Sequence, residues 1–219
     1  MIGLDLEFRR GFVRENSRPQ RPAIVPELLL HLAGGAAPIW KLTEDELKAV
    51  GLPPPYWSYA WAGGQGLARY LLDHPDAVAG KRVVDFATGS GVVAIAAARA
   101  GAAAVLAADI DPFCEAAAGL NAELNGVALQ FTDANLLELG PPDADVIVAG
   151  DVWYRGPLAD QLMAWLAAAR ARGTRVLLGD PGRTFFPTVG VAKLAAYAVP
   201  TIGELEGAEV MRATVWELG

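Results

Sequence analysis

Cysteine and histidine are nearly absent from this 219-residue chain, which has one of the former, Cys114, and two of the latter, His31 and His74. A lone cysteine excludes an internal disulfide and fits a reducing compartment such as the cytoplasm. With no histidine near it in sequence, Cys114 reads as a packing residue. Two histidines leave little scope for a His-rich metal centre or a Ser-His-Asp site; His74, in Asp73-His74-Pro75, reads as a helix C-terminal residue set against the last carbonyls. Positive charge is scarce as well. A net charge of -7 argues against sequence-independent binding to nucleic acid, whose usual footprint is a basic face, and fits a basic protein partner better. Long hydrophobic runs are missing too. The window Gly91–Ala108 is mostly apolar, but Arg99 would cost roughly 2.5–3.5 kcal/mol inside a membrane and Gly101 marks a helix end. The N-terminus opens with charges rather than a signal peptide's apolar region, and Asp5, Glu7 and Glu15 spoil the acid-poor pattern of a presequence around Arg9, Arg10, Arg14, Arg18 and Arg21. Four lysines against fourteen arginines, with an excess of alanine, point to a bacterial chain from a GC-rich genome.

The length suits one domain with an appendage. Residues 1–55 read as a short helical extension, with a helix expected from Pro22 to Leu32 and a second opened by the capping box Thr43-Glu44-Asp45-Glu46 and stopped by Gly51 and Pro53-Pro54-Pro55. Tyr56 to Gly66 packs four aromatics and three glycines into eleven residues. It reads as a lid over a ligand, with a hydrophobic plug beneath a sheet as the alternative. From Gly80 onward strands near 82–86, 104–109, 127–131, 145–150 and 174–179 alternate with helices near 91–100, 112–125 and 157–171. This predicts an α/β fold, a Rossmann-like doubly wound parallel sheet with helices on both faces. Pro112 and Pro157 sit at first-turn positions, and Leu158, Leu162, Trp165 and Leu166 share one helix face. The runs Tyr197–Thr201 and Glu209–Leu218 suggest a closing hairpin that ends the sheet antiparallel. Asn121 and Asn125, one turn apart, read as structural.

Most of the chemistry is concentrated in Arg82–Asp111: strand, glycine loop Thr88-Gly89-Ser90-Gly91, helix, strand, with Asp85 and Asp109 near the ends of the two strands. Asp109, twenty residues beyond Gly89, is placed to take both hydroxyls of a ribose. The glycine spacing also fits a dinucleotide site, but a diphosphate wants bare amides at a helix N-terminus, and a carboxylate before the loop is unwelcome there. S-adenosylmethionine (SAM), which carries a sulfonium and an ammonium, is the better partner for Asp85. Three further segments fall at the sheet's carboxyl edge, where ligands of open α/β sheets bind. Asp133, beside Ala134, is placed to accept from an adenine amino group. Asp151-Val152-Trp153-Tyr154 puts a carboxylate and a phenol beside the expected methyl group, where Asp151 could orient an incoming ammonium and Tyr154 could help hold the neutral amine. Asp151 is not read as the general base, because a carboxylate that attracts an ammonium also favours its charged form. Asp180 reads as a turn residue and Arg183 as a surface charge, with the acceptor side open to either.

Together these segments, from about Pro55 to Trp216, resemble the class I, seven-strand SAM-dependent methyltransferases. Within them the chain is similar to the family of lysine methyltransferases that includes the one acting on the electron transfer flavoprotein β subunit. The resemblance rests on Tyr59 to Asp73, on Val84-Asp85 and its loop, on Ala108 to Pro112, on Gly150-Asp151-Val152-Trp153-Tyr154, which looks like the family's D-x-x-Y motif, on Leu178 to Arg183, and on Thr214-Val215-Trp216. It implies transfer of up to three methyl groups to lysines of a folded protein, with the flavoprotein subunit as leading substrate and Asp151 and Tyr154 as the signature pair. It further implies cofactor contacts from Trp61, from Asp85, Ala87, Gly89 and Gly91 around the loop, and from Asp109, Ile110, Asp133, Ala134 and Gly150 along the sheet edge. Ala87 stands where many such enzymes have glycine, which matters little if its backbone stays extended. A more distant similarity to the ribosomal protein L11 methyltransferases keeps a ribosomal substrate as the alternative. From other classes, a dinucleotide-dependent reductase and a non-catalytic SAM-binding protein remain. A monomer is expected.

Overall fold

The structure, a computed structural model, describes residues 5–35, 37–42, 44–49 and 51–219. Thr43 of the expected capping box lies outside the described residues; the helix that follows it is present as α2 (Glu44–Ala49).

Chain order gives α1 (Leu6–Asn16), β1 (Arg18–Gln20), β2 (Leu30–Leu32), α2, α3 (Ala62–Asp73), β3 (Arg82–Phe86), α4 (Val92–Arg99), β4 (Ala104–Ala108), α5 (Pro112–Asn125) and β5 (Gln130–Thr132). It continues with α6 (Leu136–Leu139), β6 (Val146–Gly150), α7 (Gly156–Ala171), β7 (Arg175–Asp180), β8 (Val191–Pro200), α8 (Gly203–Glu206) and β9 (Val210–Leu218). The main sheet has seven strands in the order β5-β4-β3-β6-β7-β9-β8, and β9 alone runs opposite to the other six. Alternation along β3 explains the two layers. Val83 joins Leu67, Leu71, Val93 and Ile95 in the core under α3 and α4, while Val84 and Phe86 join Leu162, Trp165 and Leu166 of α7 on the other face.

Helix ends follow the sequence closely where caps are local. Asp111 accepts from the Phe113 amide at 2.9 Å, Pro112 takes the first position of α5, and Gly126 ends it in the left-handed region. His74 caps α3, its Nδ1 3.0 Å from the Tyr70 carbonyl and its ring stacked on Tyr70. Strand β8 begins at Val191, earlier than expected, and Gly203 opens a helical turn rather than a plain hairpin.

The expected helix from Pro22 to Leu32 does not form, and the extension is not purely helical. Pro26 would sit inside that helix without an amide to donate. The segment is instead the connection of a β1–β2 hairpin, held by the two asparagines of α5. Asn121 accepts from His31 N at 2.6 Å and donates to Ser90 O; Asn125 both accepts from and donates to the backbone of Leu29, at 3.1 and 2.8 Å. The helix that does form, α1, opens on Asp5, which accepts from Phe8 N, and lays Arg9 and Arg10 against Glu115 and Glu123 of α5. Val13 packs there with Trp57, Phe113 and Cys114.

Candidate active site

Strands β3 and β6 lie side by side, and the chain leaves them in opposite directions across the sheet, so the crevice beyond their carboxyl ends is the switch point where open α/β sheets take ligands. Each strand is followed at once by a residue with positive φ: Ala87 at 57° and Asp151 at 58°, the two non-glycine residues so placed among those described. For a side-chain-bearing residue this costs roughly 1–2 kcal/mol, and such strain concentrates at functional sites. Ala87 is therefore not extended, contrary to the sequence expectation. The tight reversal brings the Thr88 amide to Ala108 O at 3.1 Å and the Thr88 hydroxyl to Asp85 at 2.6 Å.

Above this switch point lies a cavity of about 430 Å³. Of the expected residues, Trp61, Ala87, Gly89, Asp109, Ile110, Ala134, Gly150, Asp151 and Tyr154 line it. Three do not. Asp85 is buried beneath the loop, accepting from the Thr88 hydroxyl and, at 3.0 Å, from the Ala94 amide in the first turn of α4. Gly91 is the left-handed N-cap of α4, where a Cβ would meet Ala118 at 3.0 Å, so it serves close packing. Asp133 is exposed, and Asn135, which caps α6 by accepting from Leu137 N, takes its place on the wall. The carboxyl edge is legible from strand ends, whereas which residue of a short loop turns inward is not. Sequence reasoning also missed Leu158 and Gln161, one helical turn apart on α7, whose spacing is the available signal.

The aromatic segment proves to be both plug and wall. Trp57 and Tyr59 are buried, while Tyr56 and Trp61 face the cavity, 5.9 Å apart between ring centroids. Tyr56 lies 5.9 Å from Tyr154, which carries Arg155 over its ring.

The lining is acidic. Asp109 accepts from Gly89 N and Asp111 N, both at 3.0 Å, and burial raises its pKa; burial also lifts Asp111 to about 6. Asp151 accepts from Gly64 N at 2.8 Å and from Arg183 at 2.8 Å, and burial pushes it up to about 7 against the pull of that guanidinium. Asp151 thus also caps α3. Arg183 is not a surface charge: it lines the cavity, bonds a second carboxylate, Glu206, at 2.9 Å, and lies over the Trp61 ring. Asp180 is the turn residue expected, accepting from Gly182 N and Arg183 N.

These features fit SAM. A cationic sulfonium and ammonium suit the carboxylates of the lining, and Ile110, 70% exposed at the cavity, offers a base an apolar surface. A diphosphate fits poorly: Arg183 is engaged by two carboxylates, and Asp85 already occupies the helix terminus such an anion would use.

Comparison with known proteins agrees. A family model described as ribosomal protein L11 methyltransferase (PrmA) matches residues 70–152. TrmN from Thermus thermophilus shares 27% identity at a TM-score of 0.53, covering 75% of this chain and 51% of that one. The electron transfer flavoprotein β subunit lysine methyltransferase of Xenopus laevis is 40% identical over 94% of this chain and 85% of its own length. Its counterpart in Homo sapiens is 38% identical over 97% and 82%. Both relatives are eukaryotic, so they lend no support to the bacterial source that composition suggests. Among the described residues no helix is long and apolar enough to cross a membrane. Near-full-length identity of this order, on a seven-strand sheet whose switch-point cavity suits SAM, means that the chain belongs to the electron transfer flavoprotein β subunit lysine methyltransferase family, whose cofactor is SAM.

Proposed function

We propose that this chain transfers methyl groups from SAM to lysine side chains of the β subunit of electron transfer flavoprotein, with Asp151 and Tyr154 receiving the lysine. The observation that carries the reading is that those two groups line the same cavity as the loop residues Ala87 and Gly89 and the acid Asp109. When bound, SAM supplies an electrophilic methyl on sulfur; the chain's own residues do the rest. The Asp151 carboxylate draws the ammonium in. Lysine begins near a pKa of ~10.4, so its ammonium proton must pass to solvent water before attack. Burial against Tyr56, Trp61 and Leu158 lowers that value, and the Arg183 charge beside Asp151 opposes a second cation, which favours the neutral amine. The Tyr154 hydroxyl oxygen accepts an N–H and orients the lone pair.

In this proposal Asp109, Ile110 and Ala134 hold the nucleoside of SAM, with Trp61, Ala87, Gly89 and Gly150 around the rest, while Asp85 and Gly91 shape the loop from behind it. Residues 1–55 serve as an extension to the catalytic unit 56–219, which works as a monomer in the cytoplasm. The likeness to the flavoprotein β subunit methyltransferases runs over 94% of the chain, whereas the L11 methyltransferase model matches residues 70–152, which favours the flavoprotein over a ribosomal substrate.

Incubation of the protein with labelled SAM and, side by side, purified flavoprotein β subunit and purified ribosomal proteins, followed by mass spectrometry, tests the proposal. Methyl-lysine is expected on that subunit, with the rate falling on the order of 10²-fold or more in Asp151→Ala. Label appearing only on a ribosomal protein would overturn the substrate, and none on any protein despite SAM binding would overturn catalysis.

A further inference from the structure

We propose that Arg183 and Glu206 are positioning residues for Asp151: one guanidinium, held between two carboxylates, sets the direction and the charge of the acid that meets the lysine. This rests on the proposed role of Asp151. Arg183 Nη2 donates to Asp151 Oδ1 at 2.8 Å and to Glu206 Oε2 at 2.9 Å. The remaining oxygens close the frame. Asp151 Oδ2 accepts from Gly64 N at 2.8 Å and Glu206 Oε1 from Ala62 N at 2.7 Å, so the two acids divide the first-turn amides of α3 between them. The side chains are 8% and 0% exposed. Burying an acid on the four-residue helix α8, at the tip of the β8–β9 hairpin, is costly unless it is paired, and Glu206 is paired with the first amide of α3 and with Arg183 of the cavity lining.

The charged and titratable groups around Asp151 are few. The end of β7 supplies Arg183 and Asp180, and Asp180 is engaged with its own turn. Helix α8 supplies Glu206. The segment before α3 supplies the Tyr59 hydroxyl, which accepts from Ile202 N, and the first turn of α3 supplies amides alone. Arg183 is thus the cation that favours an ionised Asp151, while the Glu206 charge opposes it. Glu206 nonetheless fixes Arg183 in place, so removing each charge has opposite consequences.

The test is a ¹³C carboxyl titration of Asp151 in SAM-free protein, the signal assigned with Asp151→Asn. In Arg183→Gln the midpoint is expected to rise by about one pH unit or more, and in Glu206→Gln, which removes the charge while keeping one accepting oxygen, to fall. Arg183→Lys lies between wild type and Arg183→Gln. In steady state kcat of Arg183→Gln is depressed most at low pH and recovers as pH rises, a rescue that simple loss of packing does not produce. Midpoints that agree within experimental error, or that move the same way in both variants, overturn the proposal. Should Arg183→Gln fail to fold, Glu206→Gln and Arg183→Lys decide it. Should the wild type prove inactive on the flavoprotein subunit, the substrate reading fails while the titration still judges the clamp.

Discussion

At the scale of single residues, the two left-handed positions carry opposite lessons. Ala87 gains no hydrogen bond from its side chain, so its φ of 57° is strain imposed by the reversal after β3. Ala87→Gly removes roughly 1–2 kcal/mol of that strain and returns part of it as unfolded-state entropy. A net stabilisation of about 0.5–1 kcal/mol is expected, read as a higher denaturation midpoint in urea at unchanged slope. A lower midpoint would mean that the Ala87 methyl packs usefully against the cavity. Asp151 holds the same conformation with both oxygens bonded, and its strain aims a carboxylate at the lining. Asp109 and Asp151 were legible in the sequence because each directly follows a strand, a place that geometry alone makes functional. Arg183 was not, since its setting depends on Asp151 and Glu206 meeting across separations of 32 and 23 residues.

At the scale of elements, the alternation of β-branched runs with alanine-rich helices was readable from Gly80 onward, because each strand and helix there carries its own periodicity and caps. The first third was not. Its β1–β2 hairpin takes hydrogen bonds from Asn121 and Asn125, some ninety residues away, and no local pattern announces a borrowed partner. The glycines before Leu67 follow similar logic. They fall in the segment read as a lid, yet Gly63, Gly64 and Gly66 lie in α3 and let it approach the sheet closely: a Cβ on Gly66 would meet that of Ala213 in β9 at 2.6 Å, and one on Gly150 would meet Gly64 at 2.8 Å. Overpacking of this kind costs typically 1–3 kcal/mol. Gly66→Ala is expected to destabilise by about that amount, and Gly66→Ala with Ala213→Gly, which removes the opposing methyl, to recover most of it. Equal destabilisation in the single and double variants, measured by denaturant unfolding, would show that the contact with Ala213 does not govern the site, and a stabilised Gly66→Ala would show that helix propensity outweighs close approach.

At the scale of the whole molecule, burial raises the carboxyls of five aspartates: Asp85 and Asp151 to about 7, Asp111 to about 6, and Asp109 and Asp180 in the same direction. Unfolded, each ionises near ~3.9. Between those limits the folded state binds more protons than the unfolded one, so their contribution to stability is fully present below about pH 4 and is lost as pH rises through 6 to 7. Acids such as Asp145, held at about 2 by Arg82, act in the opposite sense, but only as pH falls below the usual carboxylate range. Ligand-free protein is therefore expected to melt at progressively lower temperature from pH 5 to pH 7.5. Each acid still protonated contributes a fall of roughly 1 kcal/mol per pH unit, or about 2–4 °C for a chain of this size. A bound cation reverses the preference, because it favours the ionised carboxylates and releases their protons. The stabilisation given by saturating SAM should then widen over the same range, as the ligand-free curve declines and the liganded one stays nearly level. A ligand-free curve that stays level or rises towards pH 7.5 would mean that these acids are already ionised in the folded protein, and curves that decline in parallel with and without SAM would mean that SAM is held by shape and apolar contact rather than by the acidic lining.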